Sequence, residues 1–323
     1  MRFAVVLLTA LCCGLAAALD YGERFDVAWR LVEERYWDLD RMAVDWHEAR
    51  ERYRPLAAAA VDDAALYDQL EAMYAEIGDD HTAFVRPERV AEFRERYGDL
   101  PCLGVFGWLE RAAASGSAFA AGDAAHLPDR PMRVGSVEYA LLDDAHGYLR
   151  VPDLIDQGVA AAVRAAVEDL LSLGADGFVL DLRGNPGGRL VTMMQVAGVF
   201  TDGFLWRAVT RWSLPLPYPA LGATLTSAPL FILVDGDVHS AAEGLAGALQ
   251  VQGRATVVGA VTAGNVEAVL PFCLRDGSQA WVATGVLAPI GAPTWEGRGV
   301  EPDLPSAGPD ALGVALKALR AAW

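Results

Sequence analysis

Lysine is almost absent from this chain: Lys317 is the single lysine among its 26 Lys and Arg residues. A mechanism that depends on a lysine amine is therefore nearly excluded before any motif is considered. Positive charge is scarce overall, since 43 Asp and Glu residues give a formal net charge of -17. Such a field repels a phosphate backbone, so nucleic acid is not an expected partner. The 323 residues are 53% apolar, which excludes global disorder.

Long apolar runs are equally scarce, and the longest covers residues 3–19 at the amino terminus. It is shorter than the roughly 20 residues that cross a bilayer, and it ends in small residues. The pattern predicts a signal peptide over residues 1–18, with export to the periplasm, cell envelope or exterior and no stable membrane anchor after cleavage. The alternatives are a membrane anchor and a lipid anchor on Cys12 or Cys13.

Cysteine is rare in the remainder of the sequence, where only Cys102 and Cys273 occur. They could pair in an oxidising compartment, but the sequence does not decide whether they meet. Neither an H-E-x-x-H nor a C-x-x-C pattern is present, so the sequence predicts no metal site, and it predicts no cofactor. The sequence indicates no particular oligomeric state.

Hydrophobic periodicity divides the chain into three parts after the leader. Residues 19–86 show helical spacing and predict a helical subdomain. Residues 87–135 carry several glycines and prolines and predict a short irregular insert. Residues 136–323 alternate between short apolar strands and amphipathic helices, which is the pattern of an α/β core. No internal repeat appears.

A glycine-rich turn, Asp181 to Gly188, follows a predicted buried strand and precedes a predicted helix. Glycines allow backbone N–H groups to approach a ligand closely and to point at an anion or at a carbonyl oxygen that gains charge. The turn matches neither G-x-G-x-x-G nor the phosphate-binding P-loop, so its spacing excludes a nucleotide site of those types. A purely structural strand-to-helix connection is the alternative.

A second strand-to-helix junction places Ser240 at the start of a helix, within the segment His239-Ser240-Ala241-Ala242-Glu243. The unpaired N–H groups of a helix start favour negative charge and can bind an oxyanion, so the position suits a nucleophile. The alternative is that Ser240 only caps the helix, with Glu243 completing a capping box.

These motifs, in this order, resemble the tail-specific or carboxyl-terminal processing serine peptidases. The resemblance also includes the Gly78-Asp79-Asp80-His81-Thr82 segment and extends over most of the chain. It implies an α/β fold with a ClpP/crotonase-like core and a helical N-terminal subdomain, and it implies Ser240 as nucleophile. It further implies an oxyanion hole formed by the amides of Ala241 and of Gly187 or Gly188.

The lysine of one branch of this family is replaced here by Asn265, whereas the tricorn-like branch carries a histidine where this chain has His81. The resemblance to that branch implies His81 as the base and Glu296 as the carboxylate that orients it. Asp80 stands where the tricorn branch has a serine, so this chain departs from the branch there, and the expected role of Asp80 is a supporting one, to help position His81. His239 is the alternative base, although neighbours on one chain usually point apart.

The peptide-binding PDZ domain of the family has no clear counterpart in residues 87–135. Recognition of a carboxyl terminus by that domain is therefore not expected, and short or unfolded polypeptides are the expected partners. The sequence predicts an exported serine endopeptidase. The alternatives are a non-catalytic protein that binds a peptide or an apolar ligand on the same fold, and a crotonase-like acyl-CoA enzyme, which export disfavours.

Overall fold

The computed structural model describes residues 20–79, 81–97, 126–128, 130–143, 145–212, 214–306 and 310–321. Within these residues the protein is an α/β structure in which helices pack on two β-sheets. Four buried clusters of the described residues hold the elements together, the largest of them between the larger sheet and its central helices.

Three α-helices open the described chain, and each begins after an aspartate. They are α1 (Tyr21–Arg35), α2 (Trp46–Ala58) and α3 (Asp63–Ala75). The side chains of Asp20, Asp45 and Asp62 accept hydrogen bonds from the first-turn N–H groups, which would otherwise lack partners. The buried faces of these helices pack on strand β11 (Gln279–Pro289), and the helices themselves are those that the helical spacing in the sequence predicts.

The larger sheet has seven strands among the described residues, in the order β12-β9-β8-β5-β4-β3-β2. Their bounds are β2 (Met132–Val134), β3 (Val137–Leu142), β4 (His146–Arg150), β5 (Gly177–Asp181), β8 (Leu230–Val234), β9 (Thr256–Gly259) and β12 (Leu304–Pro305). The strands from β4 to β12 run parallel. β5 and β8 are buried along their whole length, which explains why the sequence reads as continuous apolar runs there.

In the part of the chain that the structure describes, four helices belong to this α/β layer: α5 (Val159–Ser172), α6 (Leu190–Phe200), α7 (Ala241–Val251) and α8 (Ala311–Ala321). The first three cover one face of the larger sheet, and α8 covers the other. The loops that lead from β5 into α6 and from β8 into α7 therefore lie side by side, because the two strands are neighbours in the sheet.

The second sheet is built mainly from two hairpins that the sequence analysis does not identify. It contains β1 (Ala83–Val85), β6 (Phe204–Val209), β7 (Leu216–Pro219), β10 (Glu267–Cys273) and β11. The strand order is β1-β11-β6-β7, and β10 also pairs with β11. Because β1 directly follows the His81 segment, its pairing with β11 brings that segment to the core.

One segment differs from the prediction made from the sequence. The described part of the interval 87–135 begins with a helix, α4 (Pro87–Tyr97), where the analysis expects irregular structure; Val90 and Phe93 are one turn apart and pack against Trp281. His146 is buried at the start of β4. Cys273 is disulfide-bonded, and the other three cysteines of the chain lie outside the described residues.

Candidate active site

Ser240 lies at a strained junction between β8 and α7. Its backbone has φ 52° and ψ -121°, a left-handed conformation that a residue with a Cβ atom rarely adopts. Its side chain is 6% exposed, and the residue lines a pocket together with Ala241, the first residue of the helix. Strain of this kind is typical of a nucleophile that a sharp strand-to-helix turn presents to substrate.

The glycine-rich loop is joined to the Ser240 turn by two hydrogen bonds. The N–H of Gly184 donates to Asp235 Oδ1 at 3.0 Å, and the N–H of His239 donates to the carbonyl of Asn185 at 3.0 Å. A Cβ atom on Gly187 would lie 2.9 Å from the Cβ of Ser240. The close packing explains why this position is glycine, and it fixes the loop against the serine.

Only one of the two predicted oxyanion glycines has its amide free for substrate. The N–H of Gly187 already donates to Asn185 Oδ1 at 2.8 Å. The N–H groups of Gly188 and Ala241 make no hydrogen bond with the described residues, and both residues line the Ser240 pocket. The geometry therefore favours Gly188 over Gly187 as the partner of Ala241 in an oxyanion hole.

Glu243 is fully buried and accepts four hydrogen bonds, which connect the Ser240 turn to the next loop. Its Oε2 accepts from the N–H of Ser240 and from the N–H of Asn265, each at 3.0 Å. Its Oε1 accepts from Thr262 Oγ1 at 2.5 Å and from the N–H of Gly264 at 2.7 Å. Glu243 thus does more than complete a capping box: it fixes the serine relative to the residues that lead into β10.

We expect Glu243→Gln to destabilise the protein by about 3 kcal/mol, because an amide NH2 would face hydrogen-bond donors where a carboxylate oxygen now accepts. Urea unfolding followed by circular dichroism measures this effect. Glu168→Gln on the exposed face of α5 is the matched control, with an expected change below about 0.5 kcal/mol. Equal stability of the two variants would show that the four hydrogen bonds contribute little.

His81 is held by the turn that precedes β1. Asp79 Oδ1 accepts hydrogen bonds from the N–H groups of His81 and Thr82, and Thr82 Oγ1 accepts from the N–H of Ala283 on β11. Gly78 begins the turn with φ 84°. The turn therefore places the His81 ring inside the protein, where the residue is 2% exposed.

The carboxylate that contacts His81 is that of Glu267, not Glu296. The Nδ1 atom of His81 lies 3.1 Å from Glu267 Oε2, and Glu267 Oε1 accepts from Trp37 Nε1 at 2.7 Å. Glu267 is 5% exposed and also lines the Ser240 pocket. Glu267 is absent from the predicted site residues, although its position two residues after Asn265, where β10 begins, is a signal that could have identified it.

The Nε2 atom of His81 is buried and has no hydrogen-bond partner among the described residues. If the neutral ring carries its proton on Nδ1, that N–H donates to Glu267 and Nε2 is the nitrogen left to accept a proton. No hydrogen bond joins His81 Nε2 to Ser240 in this structure. Such contacts are often long in a protein without substrate and shorten in the complex.

Glu296 lies beside this pair rather than in direct contact with His81. Its Oε2 accepts from the N–H of Val266 at 2.8 Å. Burial and the nearby carboxylate of Glu267 raise the pKa of Glu296 to about 7, while the Val266 N–H and His81 act in the opposite direction. Two carboxyl groups thus lie close to one imidazole, and near neutral pH one of them holds a proton for part of the time.

We expect Glu296→Gln to stabilise the protein at pH 8 and to have less effect at pH 4.5. The pKa of Glu296 is about 7 in the folded state against 4.5 ordinarily, so stability that is present below pH 4.5 is lost as pH rises through 7. The difference should be about 1 to 2 kcal/mol, after allowance for solvent screening of this half-buried group. Melting temperatures of both proteins at the two pH values measure it. An equal difference at both would contradict the raised pKa.

The polar groups of the Ser240 pocket are backbone groups, the side chains of Ser240 and Glu267, and the hydroxyl of Tyr218. The rest of its lining is apolar and consists of Leu190, Met193, Ala208, Val266, Ala268, Leu287 and the ring of Tyr218. It therefore suits an apolar side chain of a ligand next to the serine. Of the predicted site residues, it brings together Ser240, Ala241 and Gly188. The supporting residue Asp80 lies outside the described residues.

The architecture and the serine turn together define a class: an α/β protein with a ClpP/crotonase-like core, in which a strained serine faces a glycine-rich loop. The sequence profile of peptidase family S41 matches residues 145–306, and that of the tricorn protease C1 domain matches residues 18–75. The chain belongs to peptidase family S41, which confirms the resemblance inferred from its motifs.

Two curated relatives and one solved structure illustrate the similarity. The carboxyl-terminal-processing protease of Picosynechococcus sp. is 37% identical over 145 residues, which are 43% of this chain and 35% of that protein. The carboxy-terminal-processing protease of Bartonella bacilliformis is 30% identical over 187 residues, 54% of this chain and 41% of that protein. The chain thus spans well under half the length of these relatives.

The solved structure is that of a photosystem II D1 C-terminal processing protease. It superposes with a TM-score of 0.68 at 22% identity and covers 94% of this chain and 97% of that one. At this identity the superposition shows the fold, and it confirms the predicted combination of a helical N-terminal part and an α/β core.

Proposed function

We propose that the chain is a serine endopeptidase that hydrolyses short or unfolded polypeptides. The observation that supports this most directly is the strained Ser240, fixed by Glu243 and facing the free amides of Gly188 and Ala241. A serine that only capped its helix would not need a left-handed backbone.

In the proposed mechanism, Ser240 Oγ attacks the scissile carbonyl and His81 Nε2 takes the hydroxyl proton. Glu267 keeps the other ring nitrogen protonated and stabilises the imidazolium that forms, the role the sequence analysis gives to Glu296. The N–H groups of Gly188 and Ala241 bind the oxyanion. His81 then returns the proton to the leaving amine, and water hydrolyses the acyl-enzyme by the same route.

Glu296 remains part of the proposal as a second carboxyl group beside the pair. Because its pKa is raised, Glu296 can be protonated near neutral pH. Its protonation avoids two adjacent negative charges, those of Glu296 and Glu267, near the ring. Asn265, at the position of the lysine in the other branch of the family, contributes its backbone: its carbonyl accepts from the N–H of Ser240 at 3.1 Å.

We expect Gly187→Ala to lower kcat by roughly 100-fold, because the new Cβ would lie 2.7 Å from the His239 carbonyl and 2.9 Å from Ser240 Cβ. The serine and the Ala241 amide would have to move. Gly174→Ala is the matched control, since Gly174 has a similar φ of 95° but no atom of the described residues lies within 4 Å of where its Cβ would be. Steady-state kinetics on one peptide decides: an increase in KM alone would make the loop a substrate-positioning element.

Export is part of the proposal and rests on the composition of residues 1–18. In the part of the chain that the structure describes, no helix is both long enough and apolar enough to cross a bilayer. In the same residues no group of three or more His, Cys, Asp or Glu side chains could hold a metal ion. Amino-terminal sequencing of the protein from its native cell tests whether the leader is removed.

A non-catalytic binding protein is the second candidate, and the absence of a Ser240–His81 hydrogen bond favours it. Incubation of the protein with an unstructured peptide, followed by mass spectrometry, separates the two candidates. The peptidase proposal expects internal cleavage products that accumulate with time. A peptide that binds but stays intact would contradict it and support the binding protein.

A further inference from the structure

The hairpin formed by β6 and β7 carries two leucines whose side chains are largely exposed to solvent. Leu216 is 60% exposed and Leu214 is 86% exposed, and both precede Tyr218, a residue of the Ser240 pocket. Large apolar side chains this close to a ligand pocket mark a surface that contacts something else. We refer to Leu214 and Leu216 as the leucine stripe.

The strand register connects the leucine stripe to the pocket. Ala208 pairs with Leu216, and Trp206 pairs with Tyr218. Residues directly opposite each other, and residues two apart on one strand, share a face of a sheet. Leu216 therefore lies on the same face as Ala208 and Tyr218, which line the pocket. One continuous apolar surface leads from the serine outward along the hairpin.

The free edge of β7 is unsuited to a partner that adds a strand. Pro217 and Pro219 lie two apart in β7, which is the terminal strand of its sheet among the described residues. Proline lacks an N–H group, and within sheets it occupies positions where that side of the backbone faces solvent. A partner held by backbone pairing, such as the same edge of a second copy, would find donors missing there.

The hairpin is also fixed in place before any ligand arrives. Trp206 Nε1 donates to the carbonyl of Gly244 at 2.7 Å, and Arg207 donates to the carbonyl of Ala292 at 3.0 Å. At the turn, Arg211 donates to the carbonyl of Glu33 at 2.8 Å. A preformed surface binds an apolar side chain without a cost for ordering the hairpin.

We propose that the leucine stripe is a substrate subsite, which binds an apolar side chain two residues from the one that enters the Ser240 pocket. This rests on the proposed function, because it takes the occupant to be an extended polypeptide. Residues two apart in an extended chain point to the same side and are about 6.6 Å apart. The preferred substrate class is therefore an unfolded segment with alternating apolar residues, read by side chains rather than by strand addition.

The test measures binding without hydrolysis, in the full-length Ser240→Ala protein. The probe is a fluorescein-labelled decapeptide of Gly and Ser with a Leu-Ser-Leu segment. Two comparison peptides each carry Ser in place of one of the two leucines. Anisotropy gives the dissociation constants for the parent, for an added Leu216→Ser change and for Leu56→Ser. Leu56, 56% exposed on α2, is the matched control.

We expect Leu216→Ser to weaken binding of the Leu-Ser-Leu peptide about tenfold. The affinity of the Leu216→Ser protein for one of the two single-leucine peptides should be unchanged. Leu56→Ser should change neither of these affinities. Equal affinities of the Leu216→Ser and Leu56→Ser proteins for the double-leucine peptide would overturn the subsite. So would a dimer, seen by sedimentation, that Leu216→Ser dissociates without changing peptide affinity, because the stripe would then join two copies.

Failure of the subsite and failure of the proposed function give different results. If the unmodified protein cleaves the peptides but Leu216→Ser does not alter its preference among them, the subsite is wrong and the peptidase stands. If the double-leucine peptide binds in the expected Leu216-dependent way but the unmodified protein leaves it intact, the subsite stands and the peptidase proposal fails.

Discussion

Replacement of Ser240 by alanine should reduce peptide hydrolysis by at least about 10⁴-fold while leaving the fold intact. The hydroxyl is the attacking group in the proposed mechanism, and loss of a nucleophile costs several orders of magnitude in rate. The structural effect is small by comparison, because Glu243 contacts the backbone N–H of Ser240 rather than its side chain. Initial rates on one unstructured peptide, with circular dichroism of both proteins, measure the two effects.

Ser240→Gly provides the matched control for this experiment. It also lacks the hydroxyl, so it should be equally inactive, but glycine tolerates the φ of 52° without strain. We therefore expect it to be about 1 kcal/mol more stable than Ser240→Ala. Retention of most activity in either variant would place the nucleophile elsewhere.

Replacement of His81 by alanine should have an effect of similar size and should also change how the rate depends on pH. With His81 as base, kcat/KM rises with pH as the imidazole loses its proton, and His81→Ala should remove this dependence together with nearly all activity. Glu267→Gln should lower the rate and shift the rise to lower pH, because the imidazolium loses the carboxylate 3.1 Å from Nδ1.

Glu296→Gln is the matched comparison for Glu267→Gln, since both change a carboxyl group near the same ring to an amide. Glu296 contacts Val266 rather than the ring, so its replacement should shift the pH dependence much less. The measurement is a pH–rate profile of the four proteins on one peptide. Full activity of His81→Ala would refute the mechanism, and a larger shift for Glu296→Gln than for Glu267→Gln would restore Glu296 as the orienting carboxylate.

The parallel core is the part of the fold that local sequence patterns predict best. β5 and β8 are short, fully buried apolar runs, and each is followed by turn residues and a helix. That pattern predicts both the strands and the positions of the loops that follow them. The Ser240 turn and the glycine-rich loop are therefore predicted from nearby residues alone.

The second sheet escapes prediction because its pairing is set by distant residues. Strand β11 is covered by residues of the neighbouring strands and also by the N-terminal helices. Ten of its eleven residues are therefore buried, and no alternation of buried and exposed residues marks it as a strand. In β7 the alternate prolines argue against a strand, although they fit an edge position. Tertiary packing, rather than local propensity, defines these strands.

The partner of His81 illustrates the same limit at the level of one contact. His81 and Glu267 are 186 positions apart, and only the pairing of β1, β11 and β10 brings them together. Motif resemblance selects Glu296, which lies close enough to interact with both residues but does not contact the ring nitrogen. A choice between two nearby carboxylates requires three-dimensional distances that the sequence does not contain.

The most direct test of an activated Ser240 is covalent labelling with a fluorophosphonate. This reagent modifies a serine whose hydroxyl is activated and whose oxyanion hole is formed, and it does not require knowledge of the natural substrate. Intact mass and peptide mapping should show one adduct, located on Ser240, in the unmodified protein and none in Ser240→Ala or His81→Ala. An inert Ser240, or an adduct that survives in His81→Ala at the original rate, would contradict the account.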